Sequence, residues 1–380
     1  MEEDMKLNQT NDKTSKPIYE VPIWKRLTLP ENLFPEIKGE VIEQISVDGN
    51  GVEIEPYEAY HEALFKDSNF SKHLGLVFGE YISNEKNHGY VVKSNSRDWQ
   101  SPVVKISYHM SDDRPVLVDN QLIVVEEGSK LTVVLDYLAD DSVENSRQHY
   151  GTTRVVAKRG SVVKVIKLQR LGDADAHFDQ NFSIVEEGAK LELVDVQFGA
   201  QTKAVAYESQ LLGRHANADL QSLYFGDKNE QLDLSFTMRH FGAKSESHIL
   251  SKGALSGNSK KVFRGNLFFE TGSVQSVGKE KEVVVLLNDK IKSDSIPALL
   301  CSEDDVIGEH AASIGQLDHE KLFYLMSRGL SLEAAKRLVI KASFEEVLMT
   351  IGDDGLKSSI EEALDRRLSD GRAANEAREL

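Results

Sequence analysis

A single cysteine, Cys301, among 380 residues excludes an internal disulfide and every metal site built from several thiolates of one chain. A cysteine-rich metal centre would have to recruit a second subunit. Positive charge is scarce as well: 45 Lys and Arg stand against 62 Asp and Glu, a formal charge of -17. Nucleic-acid affinity comes largely from cationic side chains that release counterions, so DNA and RNA are not expected ligands. No apolar run approaches the ~18 residues a spanning helix needs, so no membrane association is expected. The opening MEEDMKLNQTNDKTSKP has no apolar core and no cleavage site, and it reads as a disordered tail over 1–17 of a cytoplasmic protein. Catalytic signatures are missing too. The chain has no G-x-x-x-x-G-K-[ST] loop, no dinucleotide fingerprint, no G-x-S-x-G elbow and no H-E-x-x-H helix. It does not itself bind ATP in a P-loop.

What remains is a globular chain, 40% hydrophobic and 28% charged, close to the soluble average. Residues 18–90 form a mixed region in which EAYHEALFKDSNFSKHLGLVFGEYI (58–82) predicts one or two amphipathic helices with Ala59, Ala63, Leu64, Leu74 and Phe78 inward. From about residue 91 the period becomes two. VVKVIKL (162–168), LELVDVQF (191–198) and QLDLSFTMRHF (231–241) alternate as half-buried strands do, with Leu232, Leu234, Phe236, Met238 and His240 sharing a face. No helix-length segment separates them, which argues against βαβ units.

These strands repeat. IVVEEGSKLTVV (123–134), VVAKRGSVVKVI (155–166) and SIVEEGAKLELV (183–194) share a Gly followed by a small residue and an alternating strand, and LLGRHANADL (211–220) resembles a degenerate fourth copy. Gly128, Gly160 and Gly188 recur at the spacing of a solenoid, in which each coil buries its apolar edge on the next. A β-sandwich is the other architecture of this pattern. The scarcity of Asn-Gly and Asp-Gly hairpin turns favours a parallel β-helix over 91–313. Its ends need caps, for which the N-terminal region and the C-terminal helices are candidates. The helical part covers 314–380: Asp318 N-caps a helix carrying Leu322, Phe323, Leu325 and Met326, and Ser331 caps the next, with Leu332, Ala335, Leu338 and Val339 on one face. A last amphipathic piece spans 355–368, followed by a frayed end.

Few side chains suggest chemistry. Asp304 and Asp305 are adjacent and would point to opposite faces of a strand, so they read as a solvated turn. His240, on an apolar face, reads as a hydrogen-bonded core residue. Cys301 in PALLCSEDD is expected to pack as a small buried hydrophobe. His310, followed by Ala311, Ala312 and Ser313 at the expected strand-to-helix junction, is an accessible imidazole suited to iron or zinc, although taken alone an ordinary surface histidine is the favoured reading.

RHFGAKSESHILSKGALSGNSKKVFRGNLFF (239–269) and PALLCSEDDVIGEHAASIGQLDHEKLFYLMSRGLSLEAAKRLVI (297–340) resemble the core and C-terminal signature of the SufB/SufD family of iron-sulfur cluster assembly proteins, and PIWKRLTLP (22–30) is similar to a SufD opening. The resemblance implies a mainly β fold: a right-handed parallel β-helix with an N-terminal mixed region and a C-terminal α-helical domain that docks the ATPase SufC. It is closer to SufD than to SufB, because Ala311 stands where SufB-like chains carry a glutamate and SIGQLD replaces their Thr-Thr-Ser-Lys motif. The implied role is a non-catalytic scaffold that pairs with a SufB-like paralogue, or with itself when alone. It would hold no stable cofactor, would share a transient iron-sulfur cluster with SufB, and would leave ATP to SufC. His310 matches the histidine at the heterodimer interface that is thought to hold the nascent cluster. Gly308 stands where many SufD chains have a cysteine, and Cys301 is no obvious substitute. Leu322, Phe323, Tyr324, Met326 and Arg328 would supply SufC docking. Two other readings compete: a β-helix carbohydrate-active enzyme, which would need carboxylates or an arginine clustered on one open sheet and would normally be secreted, and a homodimeric adaptor with no metal role.

Overall fold

The architecture follows from one backbone position repeated in six successive coils. In the computed structural model, which describes residues 26–58, 65, 70, 74–140 and 146–376, Gly128, Gly160 and Gly188 adopt φ of 67, 62 and 65°. Each donates its N–H to the turn of the following coil, at the carbonyls of Arg159, Glu187 and Arg214. Positive φ is cheap for glycine, which explains the repeat. The column continues through residues that are not glycine: His215, Lys244 and Gln275 have φ of 58, 57 and 61° and donate to the next coil in the same way. The residue after each turn is always small and buried, namely Ser129, Ser161, Ala189, Ala216, Ser245 and Ser276.

The strands, numbered in chain order, stack into two facing sheets. The first runs β1 (Ile42–Asp48), β4 (Val103–Met110), β6 (Lys130–Ala139), β8 (Val162–Arg170), β10 (Lys190–Phe198), β12 (Asn217–Gly226), β14 (Glu246–Leu255), β16 (Ser276–Leu286) and β19 (Val306–Gln316). The second runs β2 (Val52–Pro56), β3 (Tyr90–Ser94), β5 (Val116–Val125), β7 (Gln148–Ala157), β9 (Ala176–Val185), β11 (Thr202–Leu211), β13 (Gln231–His240), β15 (Lys260–Phe269) and then two short pieces, β17 (Lys292–Ser295) and β18 (Ala298–Cys301), both on β15. Successive coils pair in parallel, which makes a solenoid of about 8 turns, the expected parallel β-helix. Among the strands of the described residues, only β1 on β4 and β2 on β3 are antiparallel.

Those two antiparallel strands close the N-terminal end, as expected of a cap. The C-terminal helices do not close the other end. Helices α3 (Leu332–Leu348) and α4 (Asp354–Glu376) fold back along the flank, where Ile340, Phe344, Val347, Leu348, Ile360 and Leu364 cover the outer face of the middle coils at Ile166, Leu168, Val194, Val196, Phe198, Leu223 and Phe225. Helix α4 continues to Glu376, well past the expected end at 368. The second sheet is covered as well: Leu29, Leu33 and Phe34, with Leu74, Phe78 and Ile82 in or beside α1 (Leu76–Asn84), pack on Val118, Tyr150, Phe178 and Ala206. Leu74 and Phe78 are inward as expected; the expected tail at 1–17, and Ala59, Ala63 and Leu64, lie outside the described residues.

Both covers change the expected half-burial. In β13 the apolar face from Leu232 to His240 is buried, and so are Asp233, Ser235 and Thr237 on the other. Asp233 accepts a hydrogen bond from the Arg264 guanidinium, and burial raises its carboxyl to about 6. The interior between the sheets is not wholly apolar either. Lys167 donates to Asp179 Oδ1 and Oδ2, Thr153 Oγ1 and Asn181 Oδ1 at 2.7 to 2.9 Å, and His149 bridges Asp119 and His177, both at 2.7 Å. Buried ions persist when opposite charge and hydrogen bonds surround them, as they do here.

Candidate functional site

The open end of the solenoid is built by the last coil. Pro297, with no N–H to give a ladder, separates β17 from β18, so the second sheet ends in two short strands. The first sheet ends in β19, which pairs with β16 along its whole length. Among the described residues no strand pairs with its other edge, so an eleven-residue row of backbone donors and acceptors is left open.

Register decides which side chains of β19 look inward. Gly308, His310, Ala312 and Ile314 are partnered with Gly278, Glu280, Glu282 and Val284 of β16. Gly278, Glu280, Glu282 and Val284 belong to the buried face of that strand, so Gly308 to Ile314 continue the interior face by one coil. Among the described residues no strand of the second sheet faces the far half of β19, and His310, Ala312 and Ile314 are exposed. His310 therefore lies in mid-strand on an uncovered interior face, not at the strand-to-helix junction. The strand runs on to Gln316 because its ladder to β16 persists that far.

Cys301 requires a correction of another kind. It is exposed. Its register with Phe269 places it on the interior face as a packing residue would be, but no further coil covers it. Gly308 is filled from the opposite sheet: a Cβ there would meet Leu299 Cδ1 at 2.6 Å, Leu299 Cδ2 at 3.1 Å and Phe269 Cε2 at 3.2 Å. The space a side chain would need at this position is occupied by Leu299. Asp304 and Asp305 lie in the exposed turn before β19, as expected. His240 is fully buried, bonded to Ser245 Oγ at 2.7 Å and Ser247 Oγ at 2.8 Å and stacked on Phe269; burial holds it at about 4, a neutral core residue.

Directly below His310 lies a charged cluster that the sequence reading passed over. Lys261 donates to Glu282 Oε1 at 2.6 Å, to the Asp294 carbonyl at 3.2 Å and to Ser295 Oγ at 3.2 Å, while Tyr224 donates to Glu282 Oε1 at 3.0 Å. Glu280, only 4% exposed, lies over Gly265, where a Cβ would fall 2.5 Å from its Cγ. Burial, and then the neighbouring Glu282 charge, push Glu280 up to about 8. Burial also lowers Lys261, against the pull of Glu282. The signal was present in SVGKEKEVVVL: alternating Lys and Glu put a charge on both faces of a strand whose register neighbours are interior.

Two residues after β19, the chain enters α2 (His319–Ser327). Asp318 caps it, accepting from Glu320 N at 2.9 Å and Lys321 N at 3.3 Å, and Ser331 caps α3, accepting from Ala334 N at 3.2 Å. Phe323, Tyr324 and Met326 are 75, 56 and 43% exposed, and the Arg328 guanidinium lies over the Tyr324 ring. Leu322 is on the opposite side, buried with Leu317 and Ala335 in the contact between α2 and α3. Leu332 and Leu338, expected to share a face of α3 with Ala335 and Val339, are exposed, while Ala335 is buried and Ile340, Phe344 and Val347 take the sheet-facing stripe. Among the described residues no group of three or more His, Cys, Asp or Glu is arranged to hold a metal ion.

A protein-family model described as "SUF system FeS cluster assembly, SufBD core domain" matches residues 108–343. The Bacillus subtilis iron-sulfur cluster assembly protein SufD is 25% identical over 269 residues, which cover 71% of this chain and 61% of that protein. An iron-sulfur cluster assembly SufBD family protein of Mycobacterium leprae is 24% identical over 282 residues, covering 72% of this chain and 70% of that one.

Proposed function

Because the chain belongs to the SufBD core family of iron-sulfur cluster assembly proteins, we propose that it is a SufD-like, non-catalytic scaffold that pairs with a SufB-like paralogue, docks a SufC-like ATPase and contributes half of a transient cluster site in the cytoplasm. The match spans 61% of the length of the Bacillus subtilis relative. The observation that carries the reading is the uncovered last coil: an interior face bearing His310 ends at an open strand edge, and that strand leads directly into α2.

Each part has a physical role. The free edge of β19 offers main-chain hydrogen bonds to a partner strand, and the exposed Ile307 and Ile314 beside it offer apolar area. A second solenoid end brought against this one would cover His310 and add the ligands that one imidazole and one distant thiol lack. The cluster is cargo here, assembled between two chains. On α2, Phe323, Tyr324 and Met326 form the surface on which the ATPase docks, with Arg328 at its end. Leu322 holds α2 to α3 and does not touch the partner. ATP-driven movement of the docked ATPase reaches the cluster site through Leu317 and Asp318, the only residues between α2 and β19.

Co-expression with the paralogue and the ATPase, anaerobic purification and an iron and sulfide assay test this. His310→Ala is expected to leave assembly intact and to lower cluster content and the maturation of iron-sulfur enzymes. Unchanged maturation overturns the half-site and leaves an adaptor. Tyr324→Asp is expected to abolish co-purification of the ATPase; retention at native stoichiometry removes α2 from the docking surface.

A further inference from the structure

From Phe34 back to Arg26 the chain crosses the outer face of the second sheet strand by strand, toward the open end. On β7, Phe34 N donates to Tyr150 Oη at 3.2 Å and the Asn32 carbonyl accepts from Gln148 Nε2 at 2.9 Å. On β11 and β13, the Thr28 carbonyl accepts from Thr202 Oγ1 at 3.2 Å and Thr28 N donates to Gln231 Oε1 at 3.0 Å. Arg26 Nη1 then lies 3.5 Å from Asp294 Oδ2 on β17, the last strand of that sheet. Residues 1–25 lie outside the described residues, so whatever precedes Arg26 sets out from the edge at which the second sheet stops.

Among the described residues nothing pairs with the outer edge of β17 or β18, which leaves backbone donors and acceptors open. Apolar area flanks that edge on both sides. Leu299 is exposed on the interior face, by its register with Leu267, and Ile296, next to the interior-facing Ser295, is exposed on the outer one. The sequence joined to Arg26 matches this edge: in extended Ile18-Tyr19-Glu20-Val21-Pro22-Ile23-Trp24, one face carries Tyr19, Val21 and Ile23 and the other carries Ile18 and Trp24. Pro22 has no N–H, which a strand tolerates on a side without a neighbour. Eight extended residues span about 26 Å, against about 23 Å from Asp294 to Cys301 at the same rise. We propose that residues 18–24 pair with β17 and β18 as an antiparallel edge strand of the same chain, supplying the second-sheet strand that β19 lacks and covering Leu299 and Cys301. The chain then finishes its last coil with its own beginning, as the antiparallel β1 and β2 finish the first. The outer edge of β19 is left free for a partner, and the proposal does not rest on the function proposed above.

The test is hydrogen exchange and maleimide labelling of the purified full-length chain, in which Cys301 is the only thiol. Val21→Asp combined with Ile23→Asp puts two charges on the covering face. In that variant the amides of 292–301 are expected to exchange about tenfold or more faster than in the native chain, and Cys301 to label faster, while the amides of 231–240 in β13 keep native rates and show that the solenoid is folded. Tyr19→Cys gives a second readout: a short bismaleimide should join it to Cys301 within one chain, and the two aspartates should abolish the link. Native exchange and labelling in the double variant overturn the proposal. Absence of the link in Tyr19→Cys overturns it too, whether or not the double variant folds. Protection of 292–301 that disappears on dilution of the native chain assigns the edge to a second copy and ends the proposal.

Discussion

Introducing a thiol at position 308 should be costly unless the opposite sheet gives way. In Gly308→Cys the new Cβ would fall 2.6 Å from Leu299 Cδ1, closer than side chains tolerate, with Phe269 Cε2 at 3.2 Å behind it. Overpacking of this kind costs about 1–3 kcal/mol. Leu299 is at the rim and 38% exposed, so it can swing outward, which places the expected cost near the lower end, about 1–2 kcal/mol. Leu299→Ala by itself loses a partly buried side chain, also about 1–2 kcal/mol, below the range for a fully buried leucine. Were the two independent, the double variant would lose the sum. If they compete for one space, it loses about 1 kcal/mol less than the sum, a coupling well within reach of a double-mutant cycle. A solenoid unfolds by coils, and a global midpoint dilutes a loss confined to the last one. Native-state hydrogen exchange of the amides of 306–316 reads the last coil directly. Full native protection in Gly308→Cys, or strictly additive losses in the double variant, would refute the packing account. Maleimide labelling adds a second readout: the introduced thiol should react faster once Leu299 is trimmed.

Other outcomes follow from buried charge and from the flank. His240, held at about 4 against an ordinary 6.5, contributes stability that is whole above pH 6.5 and is lost as pH falls toward 4, about 3 kcal/mol at most; His240→Asn should flatten unfolding profiles over that window, and an unchanged slope contradicts its burial as a neutral group. Glu280 has the opposite sign: its carboxyl is raised to about 8, so its contribution is favourable below pH 4.5 and declines as pH rises through 8, and Glu280→Gln should unfold at higher temperature than the native chain at pH 9 but not at pH 4. Asp179→Asn leaves the buried Lys167 without its counter-ion and should cost about 3–5 kcal/mol in the middle coils. Phe344→Ala should cost about 3–5 kcal/mol in the attachment of α3, seen as faster proteolysis within 332–376 while exchange in the core ladders stays slow.

The solenoid was legible because glycine advertises positive φ: Gly128, Gly160 and Gly188 marked three coils outright. The coil at His215 showed only as the degenerate copy LLGRHANADL (211–220), and those at Lys244 and Gln275 did not show, since their turns place an ordinary residue in the same conformation and only the small buried residue that follows gives them away. Helix starts were readable at Asp318 and Ser331 because capping is local. Where the helices would lie was not, because the stripe Ile340, Phe344 and Val347 says that something is covered without saying what. Cys301 shows the limit of periodicity. It was expected to pack as a small buried hydrophobe, and its register with Phe269 does give it the interior face, yet burial depends on a further coil and among the described residues none covers it. Glu280 escaped notice because its burial comes from its register with Ile249 on the interior face of the preceding coil, a relation between residues far apart in the chain.

The direct join between β19 and α2 makes the end of the molecule mechanically directional. The flanking helices α3 and α4 are anchored on the middle coils, so a pull on α2 is opposed on one side by that anchor and on the other by the ladder to β16. A load along the strand axis bears on the whole row of hydrogen bonds at once, in shear, and the strand holds. A load across it opens the bonds one after another, starting at Gln316 and working toward His310, like a zip. Small rotations of whatever grips α2 would then separate a stiff direction from a compliant one, and the first side chains released by the compliant one are those of the uncovered interior face.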